Sequence, residues 1–92
     1  MFIDASGWVL EKLKERNISL IEVEECFFNH EGPFLIDDRE ENRTNPPTVW
    51  FISETIDGRR LKVVLIFKDK IPFLKSAYEP NENEEHIYDE NR

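Results

Sequence analysis

Cysteine is nearly absent from this chain of 92 residues, which excludes one common way of stabilising a small domain. Because Cys26 is the only cysteine, no disulfide can form within the chain. Such a composition is typical of a reducing compartment, so we expect the protein in the cytoplasm. The N-terminus also lacks the basic stretch and apolar run of a signal peptide, and we expect none.

Long apolar segments and metal-binding patterns are missing as well. The longest apolar run, residues 63–67, is far shorter than the ~20 residues that a membrane-spanning helix needs. His30 and His86 lie far apart, and neither is spaced from other ligands as metal sites require. We therefore predict no membrane contact, no metal and no cofactor, and we assign Cys26 to the buried face of a helix.

Acidic residues outnumber basic residues by 20 to 12, and the excess is unevenly distributed along the chain. Residues 79–92 carry six acidic and one basic side chain, a net charge of −5. Residues 49–78 carry three acidic and six basic side chains, a net charge of +3. Two explanations of the basic segment stay open: its cations protect exposed strands, or they form a local anion site.

Two helices are predicted in the first third of the chain. Apolar residues at helical spacing indicate a first helix over 4–16, with Asp4 or Ser6 as its cap. Asn17 suits the left-handed conformation that often follows a helix end. A second helix over 19–28 begins with a capping-box pattern, in which the first and fourth residues satisfy each other's backbone N–H groups.

The remainder of the chain predicts a sheet and a last helix. We predict strands at 34–37, 48–55, 60–68 and 72–78, and a short helix from Pro80. Tight turns at Asp57-Gly58 and Asp69-Lys70 make the last three strands an antiparallel meander. Leu61, Val63, Leu65 and Phe67 alternate along one strand and should face the helices. The predicted fold is α+β, with two N-terminal helices packed on a four-stranded antiparallel meander and a short C-terminal helix.

Three short segments resemble BrnT-type toxins. Residues 17–23, Asn-Ile-Ser-Leu-Ile-Glu-Val, are similar to a helix junction in which that family usually has Lys-His-Gly-Val-Ser-Phe-Glu-Glu. Residues 61–65 stand in the place of its central strand, and Ser76-Ala77 matches part of its Ile-Ser-Ala-Arg segment. In this register, Glu84 and Tyr88 fall where the family has a Glu and a Tyr. The resemblance implies a RelE-like fold and a ribonuclease of a type II toxin–antitoxin pair.

Two positions depart from the BrnT pattern. Tyr78 replaces the Arg of Ile-Ser-Ala-Arg, and Arg16-Asn17 replaces the Lys-His-Gly before the second helix. Both changes remove features that favour RNA binding or cleavage, since a ribonuclease needs cations to hold phosphate and to stabilise its charged transition state.

A group of short bacterial proteins resembles this chain over nearly its whole length. The matching segments are 38–39, 44–48, 50–52, Thr55, 58–59, 61–62, Lys75, 77–81 and 87–88. Such proteins are often labelled ADP-ribosyl-(dinitrogen reductase) hydrolase. The label implies an activity whose known enzymes resemble large all-helical domains with a two-magnesium carboxylate site. In this chain the only acidic pairs outside the predicted helices are 37–38 and 40–41, in one loop.

Cations and one tyrosine on or beside the predicted strands form the best candidate site. The predicted catalytic residues are Lys62, Lys75 and Tyr78, and the predicted substrate-binding residues are Arg39, Arg43 and Arg59. On an exposed sheet face, where RNA lies in a RelE-like fold, Lys would neutralise phosphate and Tyr would donate a hydrogen bond or stack on a base. In the structural alternative, Arg39 and Arg59 pair with Asp38 and Asp57, and Tyr78 packs under the last helix.

The acidic C-terminal segment supports a rival hypothesis. Residues 79–90 contain six carboxylates with no Lys or Arg among them, and like charges on a helix repel one another. We therefore predict that Glu82, Glu84 and Glu85 bind a cationic partner. That partner is the basic region of an antitoxin, or a basic nuclease, which would make the chain a non-catalytic, immunity-like inhibitor.

Overall fold

The computed structural model describes residues 3–39 and 44–92 and confirms the predicted α+β architecture. The helices are α1 (Gly7–Glu15), α2 (Leu20–Asn29) and α3 (Glu82–Glu90), and the strands are β1 (Leu35–Ile36), β2 (Thr48–Glu54), β3 (Arg60–Lys68) and β4 (Ile71–Tyr78). The four strands form one antiparallel sheet in the order β1-β2-β3-β4. Arg43, a predicted substrate-binding residue, lies outside the described residues. No helix in the described ranges is long and apolar enough to cross a membrane.

The first helix begins three residues later than predicted, because the chain before it pairs with the edge of the sheet. The Asp4 N–H donates to the Pro72 carbonyl at 2.9 Å, and the Leu74 N–H donates to the Asp4 carbonyl at 2.7 Å. These bonds satisfy backbone groups that an edge strand otherwise leaves unpaired. Ser6 is therefore the cap, and its hydroxyl accepts from the Val9 N–H at 3.2 Å.

The start of α2 forms as its sequence predicts. Ser19 Oγ accepts from the Glu22 N–H at 3.1 Å, and Glu22 Oε1 accepts from the Ser19 N–H at 3.0 Å. Asn17, in the junction before this helix, has a φ of 58°, the left-handed conformation expected after α1. The junction therefore follows from local interactions that span only a few residues.

The two predicted hairpin turns differ in length. Asp69 and Lys70 both have positive φ, 52° and 69°, and form the expected two-residue loop between β3 and β4. At Asp57-Gly58 the turn is also present, but only Gly58 has positive φ, at 87°, and its N–H donates to the Thr55 carbonyl at 2.9 Å. The loop between β2 and β3 covers residues 55–59, one residue more than the predicted strand ends left, and Gly58 supplies its left-handed position.

Helices cover part of both faces of the sheet. Leu61, Val63 and Leu65 of β3 are fully buried in the main core, as predicted. The opposite face was expected to expose Lys62, Lys75 and Tyr78; this is wrong for Lys62, whereas Lys75 and Tyr78 are half-buried. On that face Lys62 and Val64 of β3 are also buried. The chain turns back after β4, so that α3 lies against this second face.

A single aromatic side chain anchors α3 to the rest of the domain. Tyr88 is buried, and its ring centroid lies 5.7 Å from that of Trp50 on β2. The Tyr88 hydroxyl donates to the Pro33 carbonyl at 2.8 Å, which ties α3 to the chain before β1. The helix α3 continues to Glu90.

Candidate functional site

A surface groove of about 370 Å³ lies between α1 and β4. Its lining residues are Trp8, Lys12, Arg16, Arg39, Val64, Lys75, Ser76 and Tyr78. Four of these eight side chains are cationic, and none of the described residues that line it is acidic. We call this surface the basic groove. The positive charge of the basic groove is opposite in sign to the net charge of the chain, which is −8.

One wall of the basic groove is a stripe on α1. Trp8, Lys12 and Arg16 follow one another at intervals of four residues, which places them on one side of the helix and its C-cap. Lys12 Nζ lies 5.5 Å from the centroid of the Trp8 ring. The sequence reasoning missed all three residues, although their spacing was visible. Only the packing of α1 on β4 aligns this stripe with the sheet edge.

The other wall comes from β4, where the strand pairing is irregular. Val64 pairs with Ser76 and Leu65 with Leu74, so Lys75 has no residue opposite it in β3. Such a bulge redirects a side chain relative to the regular pleat. The Lys75 side chain forms no hydrogen bond or ion pair with any residue in the ranges 3–39 and 44–92. Its ammonium group is therefore available to an anion in the basic groove.

Arg16 and Arg39 are held in place differently. Arg16 Nη1 donates to Ser76 Oγ at 3.2 Å and to the Ala77 carbonyl at 3.3 Å, and no carboxylate among the described residues pairs with it. Arg39 forms a two-bond contact with the buried carboxylate of Asp37, at 3.1 and 2.9 Å. Arg16 thus keeps its full positive charge, whereas the charge of Arg39 is partly compensated.

Tyr78 joins the basic groove to a buried ion pair. Its ring lines the groove, 5.7 Å from the Arg16 guanidinium, and its hydroxyl donates to Glu84 Oε2 at 2.9 Å. Lys62 Nζ donates to the same oxygen at 2.8 Å and lies 4.5 Å from the Trp50 ring centroid. The expected exposure of Lys62 is therefore wrong, because α3 covers its face of the sheet.

The surroundings of the Glu84 carboxyl favour its ionised form. Burial alone would raise the pKa of this carboxyl, but hydrogen bonds from Lys62, from the Asn81 backbone N–H and from Tyr78 outweigh burial. The pKa of Glu84 therefore lies below its usual value. The negative charge of Glu84 fixes both the Lys62 ammonium and the Tyr78 hydroxyl.

Arg59, predicted to bind substrate, does not line the basic groove. It donates to the Asn17 carbonyl at 2.7 Å and to the Arg16 carbonyl at 3.3 Å. It also forms ion pairs with Glu22 and Glu79, in place of the Asp57 pair that the structural alternative predicted. Arg59 therefore connects the end of α1 to the beginning of β3.

Two carboxylates of the acidic C-terminal segment form ion pairs with cations of the same chain. Glu85 forms a two-bond ion pair with Arg60 at 2.8 and 2.7 Å, and Glu84 pairs with Lys62. The hydrogen bond from Arg60 lowers the pKa of Glu85. No Lys or Arg lies among these carboxylates in the sequence, but in the fold β3 places Arg60 and Lys62 beside two of them. Of the three predicted partner-binding residues, only Glu82 is exposed and without an ion pair to any described residue.

Among the described residues, the cysteine, the histidines and the acidic side chains form no second candidate site. Within residues 3–39 and 44–92 no three His, Cys, Asp or Glu side chains are grouped as a metal site needs. Burial raises the pKa of Cys26 to about 12, so its thiol stays protonated at neutral pH. The His30 ring packs between Phe34 and Phe51, with centroid distances of 4.7 and 4.8 Å.

Comparison of the chain with family models, with curated proteins and with solved structures finds no match. The basic groove is therefore interpreted through its own chemistry. Cations that lie beside aromatic rings suit a ligand that carries both negative charge and a flat ring, and nucleotides combine the two.

Proposed function

We propose that this chain is a BrnT-like toxin that binds and cleaves RNA through the basic groove and is neutralised by a partner protein in the cytoplasm. The observation that carries the proposal is the concentration of cations in one groove of an acidic chain. Arg16 and Lys75 support it most strongly, because neither shares its charge with a carboxylate of the described residues.

Electrostatics explains how an acidic protein can bind a polyanion. A chain with net charge −8 repels RNA over most of its surface, so binding needs a local reversal of sign. Each phosphate that a Lys or Arg neutralises releases counterions, which makes affinity fall steeply with salt. We therefore expect RNA to bind only in the basic groove, with an affinity that falls as the salt concentration rises.

Cleavage in this proposal uses side chains and no metal. Lys75, with its unpaired ammonium, stabilises the negative charge that develops on the phosphate during attack. In the cleavage step the RNA 2′-oxygen bonds to the neighbouring phosphorus as the bond from phosphorus to the 5′-oxygen breaks. The Tyr78 hydroxyl takes the proton of the attacking 2′-hydroxyl and passes its own proton to Glu84 Oε2, and water protonates the released 5′-oxygen. Lys62 is a positioning residue, since it holds the Glu84 carboxylate that orients this hydroxyl.

The experiment compares Lys75→Ala with Lys14→Ala. Lys14 lies on α1 outside the basic groove, so its replacement makes the same charge change without touching the site. Growth after induced expression and cleavage of total RNA by the purified protein are measured for both variants. We expect Lys75→Ala to relieve growth arrest and to reduce cleavage roughly 100- to 1,000-fold, the effect of losing one stabilising contact in the transition state. Lys14→Ala should behave as the unaltered chain.

Two outcomes decide the proposal. If the unaltered chain neither arrests growth nor binds or cleaves RNA at low salt, the proposal is wrong. If both variants lose activity equally, net charge rather than the basic groove is responsible, and the assignment of the site is wrong.

A further inference from the structure

The Trp8 side chain is exposed, and packing in the core does not explain why a tryptophan stands at this position. It is 70% exposed, whereas the other tryptophan, Trp50, is 8% exposed and packs against Tyr88. Tryptophan usually contributes to stability by burying a large apolar surface, and Trp8 contributes little in this way. Its ring instead stands at the basic groove, with Lys12 Nζ 5.5 Å from the ring centroid.

The geometry places the exposed Trp8 ring beside cationic groups. From Trp8, one helical turn leads to Lys12 and two turns lead to Arg16, about 12 Å along the axis. Lys75 faces them from the other wall of the same groove. A ligand seated in the groove can therefore place a flat ring on Trp8 and negative groups on Arg16 and Lys75 at the same time.

We infer that the basic groove takes single-stranded RNA, with one unstacked base against the Trp8 indole and the adjoining phosphates on Arg16 and Lys75. This inference rests on the proposed function and specifies its substrate. Every base has a π-face, so stacking of this kind tolerates different sequences. The cations retain the backbone while Trp8 selects for bases that are free to stack.

Duplex RNA and acidic peptides fit these features less well. In a duplex both faces of each base are covered by neighbouring bases, and the protein meets mainly sugar and phosphate. An acidic peptide can pair with Arg16 and Lys75 but has no base to place on Trp8. Of these three ligands, only a single strand uses both the cations and the exposed ring.

The test uses short oligouridylate, its duplex with oligoadenylate, and polyglutamate of matched charge. Binding of oligouridylate should quench the emission of Trp8, whereas in Trp8→Phe the remaining emission, from the buried Trp50, should stay unchanged. Trp8→Leu should weaken oligouridylate binding by about 5- to 150-fold, the effect of losing one stacked base. Phe28→Leu is the matched control, because Phe28 is 73% exposed on α2 and does not line the groove.

The outcomes separate this inference from the proposed function. If Trp8→Leu binds oligouridylate as tightly as the unaltered chain while Lys75→Ala does not, RNA binding stands and the stacking inference is overturned. Equal affinity for the duplex also overturns it. If polyglutamate binds as tightly as oligouridylate, the groove recognises acidic peptides and both ideas are overturned. Absence of any RNA binding contradicts the proposed function itself.

Discussion

Replacing Glu84 with Gln tests whether the buried ion pair holds α3 on the sheet. The substitution keeps the size of the side chain and removes its charge. Glu84 Oε2 accepts from Lys62 Nζ at 2.8 Å and from the Tyr78 hydroxyl at 2.9 Å, and Oε1 accepts from the Asn81 N–H at 3.0 Å. Because both oxygens face donors, the amide NH₂ group of Gln must point at one of them.

The expected loss is about 3 kcal/mol of unfolding free energy. The Lys62 side chain is 7% exposed, so its ammonium would stay buried without a counter-ion. Breaking a buried pair from one side costs about 3–5 kcal/mol. Glu84 itself is 17% exposed, and partial contact with water places the effect at the lower end of this range. A small domain has only about 5–15 kcal/mol in total, so the change is large.

Urea unfolding at pH 7 measures the effect from the midpoint and the slope of the transition. Glu82→Gln is the control, because it removes the same charge from an exposed position of α3 and should cost no more than about 0.5 kcal/mol. The double variant Lys62→Met with Glu84→Gln should recover part of the loss, since no charge is left buried. If Glu84→Gln costs no more than Glu82→Gln, the ion pair does not stabilise the fold and the reasoning is refuted.

Two further predictions concern acid and packing. The pKa values of Glu84 and Glu85 are lowered from 4.5 in the folded chain, so their contribution to stability is complete above this pH. This contribution is lost as the pH falls through the lowered pKa values. The urea midpoint should therefore decline over that acidic range, and it should decline less in Glu85→Gln. Gly32→Ala should cost about 1–3 kcal/mol, because its Cβ would lie 2.9 Å from Tyr88 Cζ. Gly7→Ala, at the first residue of α1, meets nothing within 4 Å and should instead stabilise the fold by about 0.4–1 kcal/mol in the same urea measurement.

Local interactions explain which elements were predictable. The capping box of Ser19 and Glu22 and the two-residue turn at Asp69-Lys70 each depend on residues no more than four apart. Alternation in β3 likewise identified Leu61, Val63 and Leu65 as core residues. The start of α1 was misplaced because the bridge from Asp4 to β4 joins segments about seventy residues apart, which no local pattern reveals.

The candidate site was only partly predictable, for a similar reason. Sequence reasoning identified Lys75, Tyr78 and Arg39, which all line the basic groove. It did not find Trp8 and its helical neighbours, because their place in the groove depends on how α1 packs on β4. The bulge at Lys75 arises from strand pairing and has no signature of its own in the sequence.

The C-terminal acidic segment shows which features follow from the sequence alone and which depend on the tertiary structure. The sequence by itself determined that α3 is a short, strongly acidic helix, since its capping pattern and composition are local properties. The tertiary structure alone decided where its cations lie. Lys62 reaches Glu84 across 22 residues, and Arg60 reaches Glu85 across 25. Such charges meet only after the chain has folded α3 back onto β3, because pairing over this distance depends on topology rather than on neighbouring residues.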